Sequence, residues 1–91
     1  MDIADWRLKI DEIDSRILRL LNERAQFSVN IGHIKERENL PIHSPGREQA
    51  IIERVQKENG GPLSSDGVRR VFERIIDESR RLEKKESKRQ S

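Results

Sequence analysis

Two cations occupy positions where a helical apolar seam calls for aliphatic side chains. The seam Trp6, Ile10, Ile13, Ile17 reaches Arg24 seven residues further on, and Lys35 follows eleven residues, or three turns, later on the same face. Further along, a stripe carrying Phe72 and Ile75 or Ile76 turns polar at Ser79 and Glu83, and Arg47 and Glu48 stand together at the start of another segment. Taken singly, each has a structural explanation: an arginine snorkelling to solvent, a helix leaving the core, a solvated ion pair. Together they put several cations on inward-facing positions. A desolvated cation requires an anion, and the acids on these faces are few. A bound multi-carboxylate ligand is the partner this pattern calls for, with arginine suited to it by two-point contact.

Other chemistries are excluded by residue type. The chain has no Cys, which removes disulfides, thiolate metal sites and cysteine nucleophiles and fits a reducing compartment. His33 and His43 lie ten residues apart, outside any H-E-x-x-H pattern, so a histidine-built metal site is not expected. There is no Ser-His-Asp arrangement and no Gly-rich phosphate loop.

The elements that must position these groups are helices. From Trp6 to Ile34 apolar residues recur in alternating threes and fours, uninterrupted by Pro or Gly before Gly32, with Asp2 or Asp5 available as a cap. This predicts one helix from about residue 4 to about residue 37, with Pro41 beyond its end. At 1.5 Å per residue it would be roughly 50 Å long. A compact chain of this size has a radius of gyration of roughly 12 Å. Either the helix breaks, with Gly32 the candidate point, or a second chain covers it; the continuous seam favours a homodimer. A second helix is expected from Ser44-Pro45 to near Asn59, and a third from about Ser64-Ser65-Asp66 through Leu82. Lys84 to Ser91, KKESKRQS, has nothing to bury and is read as a frayed tail or linker remnant. The fold class is all-α, with three helices per protomer.

Composition agrees. With 91 residues, 32% hydrophobic and 40% charged, the chain is one small domain poor in core material, so a further source of buried surface is expected. The net charge of +2 is a small imbalance among many charges. The acidic opening residues do not resemble a secretory signal, and no apolar run could span a membrane, so the expected location is cytoplasmic.

Five segments then become recognisable: W-R-L-K-I-D-E-I-D with Arg7, L-L-N-E-R-A with Arg24, I-G-H-I-K ending at Lys35, P-G-R-E with Arg47 and Glu48, and I-I-D-E-S-R-R-L-E with Ser79 and Glu83. In this order the sequence resembles the all-helical (type II) chorismate mutases over roughly residues 3 to 84. The resemblance implies an intertwined homodimer with two active sites and no cofactor, converting chorismate to prephenate by an intramolecular Claisen rearrangement. It implies a mutase domain over 1–84 and a polar tail or linker over 85–91. Arg24 and the partner's Arg7 would bind the substrate carboxylates. Lys35 and Glu83 would donate to the ether oxygen, Glu48 would hold the ring hydroxyl, and Arg47 and Ser79 would complete the pocket. Arg7 and Arg24 are 17 residues apart, roughly 25 Å along a straight helix, so one small ligand meets both only if an antiparallel partner helix brings Arg7 across. Ser44 stands where some relatives carry an aspartate that contacts the hydroxyl, and is read mainly as an N-cap. A glutamate at 83 donates only when protonated, and burial is expected to favour that form while Lys35 opposes it.

The competing readings are an isochorismate pyruvate lyase on the same scaffold, a non-catalytic dimerisation or regulatory module that binds chorismate or prephenate, and a nucleic-acid-binding protein. The last is weakened because Arg69-Arg70, Arg80-Arg81, Lys84-Lys85 and Lys88-Arg89 are interleaved with acids, and one Trp and two Phe make no stacking platform. A fused or associated shikimate-pathway enzyme is a possible partner.

Overall fold

Asp2 starts the first helix by a reciprocal cap: its carboxylate accepts from the Asp5 N–H at 3.0 Å, and the Asp5 carboxylate accepts from the Asp2 N–H at 3.0 Å. In the computed structural model, which describes residues 1–90 and the side chains of residues 1–86, this helix, α1, runs Ile3–Arg37 without a break. It passes straight through Gly32, so the alternative of a break there does not hold. Its end is a Schellman turn. Asn39 takes the left-handed conformation (φ 54°), the Leu40 N–H donates to Lys35 O at 2.8 Å and the Asn39 N–H to Glu36 O at 3.3 Å.

Helix α2 spans Pro45–Glu58, with proline in the first turn as expected. The expected Ser44 side-chain cap is not formed; Ser44 contributes only its carbonyl, which accepts from the Glu48 N–H at 3.0 Å. Gly61, at φ 78°, turns the chain between α2 and α3, a conformation glycine adopts without a Cβ penalty. Ser64 then caps α3 by accepting from the Gly67 N–H at 2.9 Å.

Helix α3 spans Ser65–Gln90 and therefore continues past Leu82, where its apolar stripe ends. The segment expected to fray keeps helical backbone because Lys, Glu, Arg and Gln are good helix formers and no Gly or Pro intervenes. Glu86 also meets His33 of α1 at 3.6 Å. The remainder of the expected tail, Ser91 and the side chains of 87–90, lies outside the described residues.

The core lies between α2 and α3, where Ile51, Ile52, Val55, Val68 and Ile76 are buried with Phe72 against them. On α1 the buried residues are instead small, Ser28 and Gly32, and there α3 lies across the helix. The large residues of the α1 seam stay uncovered: Trp6 is 55% exposed, Ile10 57% and Ile17 46%. The chain measures 54 × 25 × 14 Å with a radius of gyration of 16.2 Å, above the value for a compact chain of this length because α1 projects from it. Among the described residues no helix is long and apolar enough to cross a membrane.

Candidate active site

The C-terminal half of α1, the first turn of α2 and the middle of α3 enclose a cavity of about 400 Å³. Arg24, Lys35, Arg47, Glu48, Ser79 and Glu83 all line it, as do Ser44 and Arg80. Phe27, Ile31, Ile42, Ile51 and Ile76 supply apolar wall. Six of the seven residues expected at the site are thus brought together from three helices. Arg7 is not: it is exposed on the first turns of α1, and no wall of this cavity includes it.

Lys35 is fixed from two directions. Its Nζ donates to Ile42 O at 2.9 Å and to Glu83 Oε2 at 3.1 Å, with the two side chains only 18% and 12% exposed. An ammonium has three N–H groups, so one remains for a ligand.

Arg24 Nη1 donates to Ser79 Oγ, and that hydroxyl donates in turn to Ile75 O at 2.9 Å within α3. Ser79 therefore orients the guanidinium and leaves its other N–H groups unused by this contact. The Arg24 pKa is held below the ordinary guanidinium value, first by burial, then by the like charge of Arg47 and, more weakly, of Arg54, while Glu83 acts in the opposite direction. Cations crowded against one another in a partly buried site bind an anion better than the same groups spread over a surface.

Glu48 lies between His43, whose Nε2 is 3.7 Å from Oε1, and Arg80, whose Nε is 3.2 Å from Oε2. Arg80 is legible in the sequence only as one of several surface basic pairs. The signal that singles it out is its place four residues after buried Ile76, on the stripe of α3 that faces α2. Among the described residues, four cations, Arg24, Lys35, Arg47 and Arg80, stand around the cavity against two carboxylates, Glu48 and Glu83. The excess of two positive charges complements a dianion.

Comparison with known proteins gives the same answer from sequence. Residues 6–84 match the family described as chorismate mutase type II. The chain is 42% identical over 88 residues to a bifunctional chorismate mutase/prephenate dehydratase of Aquifex aeolicus, covering 92% of this chain and 24% of that protein. It is 33% identical over 84 residues to a chorismate mutase of Methanocaldococcus jannaschii, covering 90% and 84%. The chain thus spans about a quarter of the length of the bifunctional relative and most of the monofunctional one. Among solved structures it is similar to chorismate mutase (Form II) from Thermus thermophilus, with a TM-score of 0.88 and 33% identity over 90% of this chain and 93% of that one. It is also similar to the Helicobacter pylori chorismate mutase in complex with prephenate, with a TM-score of 0.86 and 26% identity over 94% and 93%. With its three-helix fold, its cation-rich cavity and a family match over nearly its whole length, the chain belongs to the type II chorismate mutase family.

Proposed function

We propose that the protein converts chorismate to prephenate, working as an intertwined homodimer in which the partner's Arg7 completes each site. The observation that carries this reading is the excess of two cations around a cavity that also holds the Lys35–Glu83 pair. Chorismate bears two carboxylates, a ring hydroxyl and the ether oxygen at which its rearrangement begins.

In that rearrangement the ether C–O bond breaks while a C–C bond forms between the ends of the same molecule. No atom enters or leaves, and no nucleophile or net proton transfer is required. What the protein contributes is position and charge. Arg24, oriented by Ser79, takes one carboxylate, and the partner's Arg7 takes the other, with Arg47 at the rim adding to the field. These contacts hold the molecule in its folded, reactive conformer. The remaining N–H of Lys35 meets the ether oxygen as negative charge grows there, and Glu83, when protonated, donates to the same atom. Glu48 accepts the ring hydroxyl. The Ser44 side chain, not engaged as a cap, stands on the cavity wall near it.

The dimer reading is supported by the uncovered seam of α1 and by the position of Arg7, 17 residues and roughly 25 Å from Arg24 along an unbroken helix. We assign the mutase domain to residues 1–84 and read 85–91 as a polar extension. The bifunctional relatives suggest a downstream enzyme of the same cytoplasmic pathway, fused or associated, as partner.

The test is incubation of the purified protein with chorismate, following loss of its absorbance and identifying the product by chromatography, with Arg24→Ala as control. Prephenate from the parent but not from the variant is expected. Release of pyruvate from isochorismate, with chorismate untouched, would replace the mutase by a lyase.

A further inference from the structure

Arg80 is the cation of the cavity to which the substrate-binding reading gives no task. On α3 it follows Ile76 by one turn and reaches across to the first turn of α2. Its Nη2 donates to Asp77 Oδ1 at 2.7 Å and to Glu48 Oε1 at 3.4 Å, and its Nε lies 3.2 Å from Glu48 Oε2. That Nε is shut off from solvent, and its approach to Glu48 is an ion-pair contact rather than a formed hydrogen bond. The guanidinium therefore addresses both oxygens of one carboxylate, while Asp77 holds the guanidinium from its own helix.

A glutamate in the first turn of a helix ordinarily samples several rotamers. A planar guanidinium that meets both its oxygens selects one of them, which a point-charge ammonium cannot do. Each carboxylate oxygen has two lone pairs, so a fork on one side leaves acceptor capacity on the other. We infer that Arg80 is a positioning residue for the ring hydroxyl of the substrate: it keeps Glu48 in the rotamer that accepts that hydroxyl, with Asp77 as its anchor. The inference rests on the reading of Glu48 as the hydroxyl acceptor.

The experiment compares the parent, Arg80→Met, Arg80→Lys, Glu48→Gln and the double variant Glu48→Gln/Arg80→Met on chorismate and on an analogue lacking the ring hydroxyl, with circular dichroism confirming the fold. Arg80→Met should raise KM for chorismate roughly tenfold and lower kcat less, as expected for loss of one charge-assisted contact. It should cost little on the deoxy analogue, and the double variant should be no worse than Glu48→Gln. Arg80→Lys, which keeps the charge but loses the two-point contact, should fall between parent and Arg80→Met. It carries the same comparison if the Met variant fails to fold. Equal losses on both substrates, or losses that add to those of Glu48→Gln, overturn the inference and leave the role of Glu48 standing. If Glu48→Gln itself leaves the preference for the hydroxylated substrate unchanged, the hydroxyl reading falls and the task of Arg80 falls with it.

Discussion

Gly32 and Glu83 meet backbone to backbone: a Cβ built on Gly32 would stand 2.9 Å from the Glu83 carbonyl oxygen and 3.0 Å from its Cα. The pair sets how closely α1 and α3 approach at the level of the Lys35–Glu83 contact, three residues on along α1. An alanine at 32 would gain about 1 kcal/mol of helix propensity. Against this, the atoms it strikes are main chain and cannot swing aside, and overpacking of this kind costs about 1–3 kcal/mol.

Gly32→Ala is therefore expected to lower the unfolding midpoint and, because it moves α3 at Glu83, to lower kcat as well. Gly46→Ala, where the added methyl meets nothing within 4 Å in the protomer, should leave the midpoint unchanged or raise it. Thermal melts of the two variants, paired with initial rates, check both expectations.

Lys35→Ala should lower kcat by about 10²–10³, the usual cost of removing one preorganised donor to a developing negative charge. KM should change much less, since the contact strengthens only as the ether bond breaks. Steady-state kinetics on chorismate would separate the two parameters; a rise in KM at constant kcat would mean that Lys35 only binds.

Glu83→Gln tests the second donor. A glutamine amide donates at every pH, whereas the carboxyl of Glu83 donates only in its protonated form. Glu83→Gln should therefore keep the parent's kcat or exceed it, whereas Glu83→Ala, which leaves no group to donate, should lower it; initial rates at saturating chorismate compare the three. Equal rates for the parent and Glu83→Ala would remove Glu83 from the list of donors.

Arg7 and Arg24 allow a mixing test. Arg7→Ala and Arg24→Ala should each be inactive. If the chain forms the proposed homodimer, one site of a mixed pair carries both changes and the other neither, so equal mixing after unfolding and refolding should recover roughly a quarter of parental sites. Trp6, the sole tryptophan and 55% exposed in the protomer, supplies the companion signal. Its emission should lie to the blue in the proposed dimer and move to the red on dilution; emission unchanged on dilution would count against the dimer.

Arg24 carries a stability cost. Its native guanidinium holds its proton less tightly than in the unfolded chain, mainly through burial and then through Arg47. Below the native pKa both forms are charged, so the resulting destabilisation is constant through the neutral range and is relieved only as pH rises through that value. Arg24→Gln should thus melt no lower than the parent at neutral pH. A dicarboxylate ligand should raise the parent's midpoint and leave that of the variant unmoved.

The helices are legible in the sequence because their periodicity is local: the pattern places α1 over about 4–37 and the helix spans 3–37. The interior cations are legible for the same reason, as charges on an apolar stripe. What is not legible depends on neighbours distant in sequence. Gly32 reads as a point of weakness, whereas it marks contact with a residue on another helix. Ser44 reads as a cap, yet its side chain makes no capping bond and instead lines the cavity. Arg80 disappears into the Arg80-Arg81 pair, although only Arg80 faces α2. The continuation of α3 to Gln90 escapes the pattern because a helix needs no apolar stripe to persist once it has been started.

The turn after α1 ties inheritance to chemistry. Lys35 closes the helix end with its carbonyl, which accepts from the Leu40 N–H, and grips the following stretch with its ammonium, which donates to Ile42 O. One residue therefore serves as hinge pin and, in the proposed mechanism, as donor to the ether oxygen. Substitutions and insertions between residues 38 and 41, which do not line the cavity, would be screened by selection as though they lay in the active site. Lineages of this family should vary the connector between α2 and α3 more freely than this one.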